Sequence, residues 1–201
     1  MCDKENENDD QNNKEEKRKS NEVLKKTRTV LICGEINQKL AGKVVSDLIF
    51  LQSLSETEPI KIIINSQGGH VESGDTIHDM IKFVKPKVVM IGTGWVASAG
   101  ITIYLGAEKK FRYSLPNTRY LIHQPSGGMR GQASDIEIET QEIIKMRKRL
   151  NKLISSATGQ PYEKIEKDSD RNFWLSAEEA KEYGIVDKII TNISEIDFSV
   201  M

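Results

Sequence analysis

Residues 59–94 read PIKIIINSQGGHVESGDTIHDMIKFVKPKVVMIGTG. IKIIINSQGG is a short β-branched run that closes on a Gly-Gly turn, as a buried strand does. VESGDTIHDMIKFVK then reads as a helix, and PKVVMIGTG returns to an apolar strand. Strand, helix, strand in that order is the pattern of a right-handed crossover, so these residues predict an α/β fold with a largely parallel sheet.

The pattern extends in both directions. Upstream, TRTVLICG reads as a strand. It leads into INQKLAGKVVSDLIFLQSLS, where Leu40, Val44, Val45, Leu48, Ile49 and Leu51 recur at helical spacing. Downstream, TRYLIHQPSGGMRGQ is strand-like and then rich in glycine, and it precedes a long helix, SDIEIETQEIIKMRKRLNKLISSATG. Ser134 with Glu137 predicts a capping box for that helix, and Gly159 with Pro161 its stop. Ser176 with Glu179 repeats the box, Gly184 closes the helix that follows, and IVDKII returns to strand. No internal repeat is present.

A chain of 201 residues is long enough to bury one sizeable core and fits one domain. Residues 1–27 are almost entirely polar and charged, which predicts a disordered tail ahead of a folded domain spanning 28–201. A net charge of −1 excludes a global basic field for nucleic acid. Mean hydropathy of −0.48 and the lack of any apolar run of about 18 residues exclude a membrane span. No apolar signal region stands near the N-terminus, so a cytoplasmic location is expected. Cys2 and Cys33 form neither a disulfide framework nor a metal-ligand spacing, and Cys33 within TVLICGEI reads as a small buried hydrophobe.

Ser98 lies in GWVASAGI, at the corner between an apolar strand and a helix. The first amides of that helix face the space beside its hydroxyl, a geometry suited to an oxyanion. Val96 stands where G-x-S-x-G has its first glycine, so the match to a nucleophile elbow is incomplete, and close strand–helix packing explains a small residue there equally well. Of three histidines, His70 after a Gly-Gly turn and His78 within a helix read as surface or packing residues. His123 ends the strand RYLIH, where functional groups of α/β sheets gather, although a hydrogen-bonded strand-end histidine is the plain alternative. Gly68-Gly69 gives the backbone freedom to approach a ligand, or makes an ordinary turn. Gly127-Gly128 and Gly131 leave either an edge for an extended peptide or a simple loop.

These residues coincide with a family. INSQGG (INSPGG in the family), GWVASAG (GxxxSxG), LIHQPSGG, GQASDIEI and DSDRNFWLSAEEAKEYGIVD resemble, in order and spacing from Thr29 to Ile190, the proteolytic subunit of the Clp protease, ClpP. ICGEINQKL, HDMIKF and GTGWVASAG look closer still to the ClpP-like translocation-enhancing (TepA-type) proteins of bacilli. The resemblance implies a crotonase-like fold with a protruding handle helix from Ser134 to Ala157, and a serine endopeptidase acting inside stacked seven-membered rings. Ser98 is then the nucleophile, His123 the base, and Gly69 and Ala99 the oxyanion amides, with Ala99 where the family commonly has Met and Gln67 where it has Pro. Peptides would lie along Gly68, Val71, Ser126, Gly127 and Gly128, and Asp170 with Arg171 would meet the opposite ring. No metal or organic cofactor is implied.

Two departures stand out. The family pattern D-x-[DE]-R-D-x-[FWY] places an Asp directly after Arg, whereas Asn172 follows Arg171 here. As third triad member, Asn can accept the imidazole N–H but brings no charge, which predicts weak or conditional activity unless Asp168 or Asp170 substitutes. Family chains also begin with an apolar axial segment and a YDIYSRLL-like helix, whereas here the polar tail leads almost directly to TRTVLICG. The resemblance therefore does not carry an AAA+ ATPase partner to this chain. A catalytically silent ring subunit with a structural or regulatory role is the competing expectation.

Overall fold

The computed structural model describes residues 15–16, 18–128 and 130–198. Its centre is a seven-stranded sheet. Strands β1 (Thr29–Ile36), β2 (Ile60–Gly69) and β3 (Val88–Ala97) are joined by helices α1 (Gln38–Leu54) and α2 (Val71–Phe83), as residues 59–94 predict. All three strands pair in parallel. Alternate residues of β2 explain why: Ile60, Ile62 and Ile64 are fully buried on one face, each worth roughly 1.5–3 kcal/mol of transfer from water. Against them pack Ala41, Val44, Leu48 and Leu51 of α1 and Ile77 and Ile81 of α2.

β3 then forks. Its first half, Met90–Gly92, pairs with β4 (Arg112–Ser114), and its second half, Trp95–Ala97, pairs with β5 (Arg119–Ile122). The short helix α3 (Ala99–Tyr104) leaves from the fork. The handle helix α4 (Ala133–Thr158), then α5 (Tyr162–Asp168), β6 (Phe173–Leu175), α6 (Ala177–Tyr183) and β7 (Lys188–Ile189) complete the chain. β7 pairs with β4, and β6 runs antiparallel to β5 at the edge. This is the α/β architecture of repeated βαβ units with a protruding helix that the sequence predicts.

Several local expectations change. The handle helix starts at Ala133 with Gln132 as its N-cap, so Ser134 lies inside the first turn and forms no box with Glu137. Gln132 is extended, which lets its carbonyl accept the Ile136 N–H at 3.0 Å, and Asp135 supplies first-turn negative charge. Cys33 is exposed, because β1 is an outer strand and its Cys33 face has no layer over it. Ile49 is 51% exposed, since the buried stripe of α1 is narrower than its apolar sequence. Within the polar segment 1–27, residues 1–14 and 17 lie outside the described residues. Residues 18–26 are helical, supported by the Arg18–Glu22 ion pair and by Leu24, which faces Phe50 and Leu51. The Ser176–Glu179 box and the left-handed Gly159 and Gly184 stops match expectation.

Candidate active site

Ser98 is the entire link between β3 and α3, and it is held at φ 56°, ψ −121°. Such a backbone costs a non-glycine residue on the order of 1–3 kcal/mol, so its surroundings must hold it there. The Ser98 N–H donates to the Leu121 carbonyl at 3.0 Å, and the Ser98 carbonyl accepts from the Ile101 N–H at 2.9 Å. Gly68 makes the room. A Cβ on Gly68 would stand 2.6 Å from Ser98 Cβ, 2.8 Å from the Ala97 carbonyl and 3.2 Å from Ser98 Oγ. Gly69, at φ 148°, has no space for a side chain either, since its Cβ would meet the Ile36 carbonyl at 2.2 Å. The neighbouring approach is equally tight, with the Cβ position of Gly74 3.1 Å from Ala99 Cβ.

Strand register brings the other residues to this corner. β3 and β5 pair as Trp95↔Arg119, Val96↔Tyr120 and Ala97↔Leu121, so Ser98 comes level with Ile122, the residue before His123. β5 and β6 pair as Tyr120↔Leu175, Leu121↔Trp174 and Ile122↔Phe173, so the next step sets His123 opposite Asn172. Ser98, Ala99, Val71 and His123 line one cavity, and His123, Ser126, Asp170, Arg171 and Asn172 line the adjoining cleft. His123 thus stands between Ser98 and Asn172. Among the described residues no hydrogen bond joins it to either, a looseness common before substrate binds. Gly127 and Gly128 are exposed and line neither cavity; Gly127 faces Ile143 of the handle helix.

Burial of His123 holds its imidazole below the ordinary value, which favours the neutral, proton-accepting form. Neither nearby aspartate takes the place of Asn172. Asp168 accepts from the Tyr183 hydroxyl at 2.7 Å and from Lys164, and Asp170 pairs with Arg147 at 3.3 Å. The Gln124 side chain donates to the Asp170 carbonyl at 2.7 Å, and the Gln124 N–H to the Ser169 carbonyl at 2.7 Å, which pins the segment after His123 to the loop before Asn172. His70 caps α2 by accepting the Ser73 N–H at 3.3 Å, and His78 is buried with Nδ1 donating to the Thr102 carbonyl at 2.7 Å. Both serve the scaffold. Among the described residues no group of three or more His, Cys, Asp and Glu side chains is arranged to hold a metal.

The sequence reading passes over Asn151. This handle residue is 2% exposed, lines the Ser98 cavity, accepts from the Ser169 hydroxyl at 3.2 Å and leaves its Nδ2 without a partner. A polar residue inside the apolar stripe LNKLI was the available signal.

The family model described as Clp protease matches residues 12–193. A relative named ATP-dependent Clp protease proteolytic subunit 3, from Rhizobium etli, is 63% identical over 173 residues, covering 86% of this chain and 89% of that one. ClpP1 from Listeria monocytogenes superposes with a TM-score of 0.80 at 63% identity, covering 88% of this chain and 99% of that chain. An Asn-to-Asp mutant of the same ClpP1 gives 0.81 at 65% identity over 86% and 96% of the two chains. These relatives carry general Clp names, not that of a translocation-enhancing protein. With the match spanning nearly the whole folded chain in both sequence and architecture, this protein belongs to the ClpP family of Clp proteolytic subunits and is a serine peptidase.

Proposed function

We propose that Ser98, His123 and Asn172 carry out peptide hydrolysis in this chain. Ser98 Oγ attacks the peptide carbonyl carbon while its proton passes to His123. The carbonyl oxygen, now negative, is held by the amides of Gly69 and Ala99. The protonated imidazole then gives its proton to the departing amine, leaving an acyl-serine that water hydrolyses by the same steps in reverse roles. Asn172 orients the imidazole through its carbonyl oxygen and supplies no charge to the cation that forms. The observation that carries this reading is the paired register of β3, β5 and β6, whose next steps fall on Ser98, His123 and Asn172.

The substrate class is a short or unfolded peptide, laid beside Gly68 and Val71 on one side and Ser126 to Gly128 on the other. The chamber is formed by stacked heptameric rings of this chain, with Asp170 and Arg171 at the contact between rings, and the folded domain is the unit 28–201. The Rhizobium relative is named ATP-dependent. Among the described residues no helix is long and apolar enough to cross a membrane.

The test is turnover of a short fluorogenic peptide by wild-type protein, Ser98→Ala and Asn172→Asp, with particle mass measured on each sample. Ser98→Ala should abolish turnover, and Asn172→Asp should raise kcat at least about tenfold, given a loss of about 10⁴ for the reverse change in another serine protease. A second reading, a silent structural ring subunit, is favoured by the uncharged Asn172 alone. Failure of wild-type rings to react at Ser98 with a fluorophosphonate would establish it.

A further inference from the structure

The chain contains two tryptophans. Trp95 is on β3, three residues before Ser98, and Trp174 is on β6, two residues after Asn172. Their rings stack, with centroids 6.3 Å apart and planes 10° from parallel. The Arg119 guanidinium lies 4.3 Å from the centre of the Trp174 ring. β3 and β6 are not neighbours, because β5 lies between them and pairs with both. Two strands on is about 9.5 Å away, so the rings meet only by leaning across β5. The contact ties three strands together on one sheet face.

β6 has three residues and is paired on one side only, with β5, so its ladder alone is short, and its register rests on the buried Leu175, on the Gln124 bonds to the loop before Asn172 and on this stack. A slip of one residue would turn Asn172 to the opposite face. Asn172 itself is exposed and makes no hydrogen bond among the described residues, so nothing in its own contacts fixes it opposite His123.

We propose that the Trp95–Trp174 stack, covered by Arg119, is a positioning clamp that holds β6 in register and thereby keeps Asn172 opposite His123, where the imidazole–amide bond can form once substrate is bound. The clamp rests on the reading of Asn172 as the residue that orients the imidazole. It matters more for an amide than for a carboxylate. A carboxylate attracts an imidazolium over several ångströms, whereas an amide acts only through a hydrogen bond that is lost beyond about 3.5 Å.

The experiment compares kcat and KM for Trp95→Ala and Trp95→Phe in three backgrounds, wild type, Asn172→Asp and Asn172→Ala, on assemblies of matched mass. Because both tryptophans belong to the stack, near-ultraviolet circular dichroism reads it directly. Trp95→Ala should lose the signal of the coupled indoles and lower kcat about tenfold with KM little changed, in line with the sensitivity of catalysis to small displacements. Trp95→Phe should keep most of the rate. In Asn172→Asp the Trp95→Ala loss should shrink, and in Asn172→Ala it should fall below about twofold, since the clamp then has nothing to position. An undiminished tenfold loss in the Asn172→Ala background, or a loss expressed in KM, overturns the clamp while leaving the role of Asn172 intact. An Asn172→Ala protein as active as wild type overturns that role first.

Discussion

In the proposed mechanism His123 accepts a proton only when neutral, and desolvation holds its imidazole below the ordinary value, with no carboxylate bonded to it among the described residues. The acid limb of kcat/KM should therefore fall on the low-pH side of an unperturbed imidazole. Asn172→Asp sets a negative charge opposite the ring, which favours the cation and raises its pKa. The acid limb should then move to higher pH while the plateau kcat rises, and pH profiles of the two proteins will read both effects. A limb that stays put would mean that the new carboxylate faces elsewhere. Gly68 offers a sharper test of the corner itself. In Gly68→Ala the methyl meets Ser98 Cβ and the Ala97 carbonyl at a backbone φ of 99°, so Ser98 must move. A drop of at least about 100-fold in kcat/KM, with far-ultraviolet circular dichroism unchanged, is the expected result. At this scale the strand-to-helix corner at Ser98 and the strand end at His123 were legible from the run of apolar residues, and the uncharged Asn172 stood out only through the family resemblance. The engagement of Asp168 by the Tyr183 hydroxyl was not legible, because Tyr183 sits on a separate helix that only the folded chain brings near, whereas Lys164 is one turn before Asp168 on the same helix.

Elements announce themselves through their own periodicity, and they hide where a neighbour decides. The βαβ run of residues 59–94 was plain because β3 opens with four consecutive buried apolar residues and β2 carries Ile60, Ile62, Ile63 and Ile64, as strands at the centre of a parallel sheet do. β4, three residues long, gave no such signal, and it exists because the fork in β3 offers it a partner. Helix starts show the same division. Ser176 and Glu179 bond each other's backbone N–H at 3.2 and 2.7 Å, so Ser176→Ala should cost about 1 kcal/mol and lower Tm by roughly 2–4 °C. Ser134 carries the same sequence signature but lies inside the first turn of α4, where Gln132 is the cap. Ser134→Ala should leave Tm within about 1 °C, since surface changes of this kind stay within about 0.5 kcal/mol. Thermal melts of the two variants side by side would distinguish a real cap from a matching motif.

The whole molecule leaves apolar surface that one chain cannot bury. On α1, Ile49 is 51%, Phe50 39% and Leu54 60% exposed, and Leu31 on the adjoining strand is 36% exposed. A soluble monomer seldom shows so many large apolar side chains together, and contiguous patches of this kind mark protein contacts. Ring assembly of the proposed chamber would cover them with a second copy. Placing two charges there, as Ile49→Lys with Leu54→Lys, should leave each fold intact, because neither side chain belongs to the core, yet shift the particle from a ring to single chains. Buried unpaired charge at an interface is strongly unfavourable, so the change should be complete at micromolar concentration when followed by mass photometry or sedimentation. Peptidase activity should fall with the ring, because the handle helix contributes Leu150, Asn151 and Ile154 to the Ser98 cavity while its exposed Ile136, Ile138 and Ile144 need a partner to cover them. A double variant that remained a ring would place the subunit contact on another face and leave the α1 strip for a different partner.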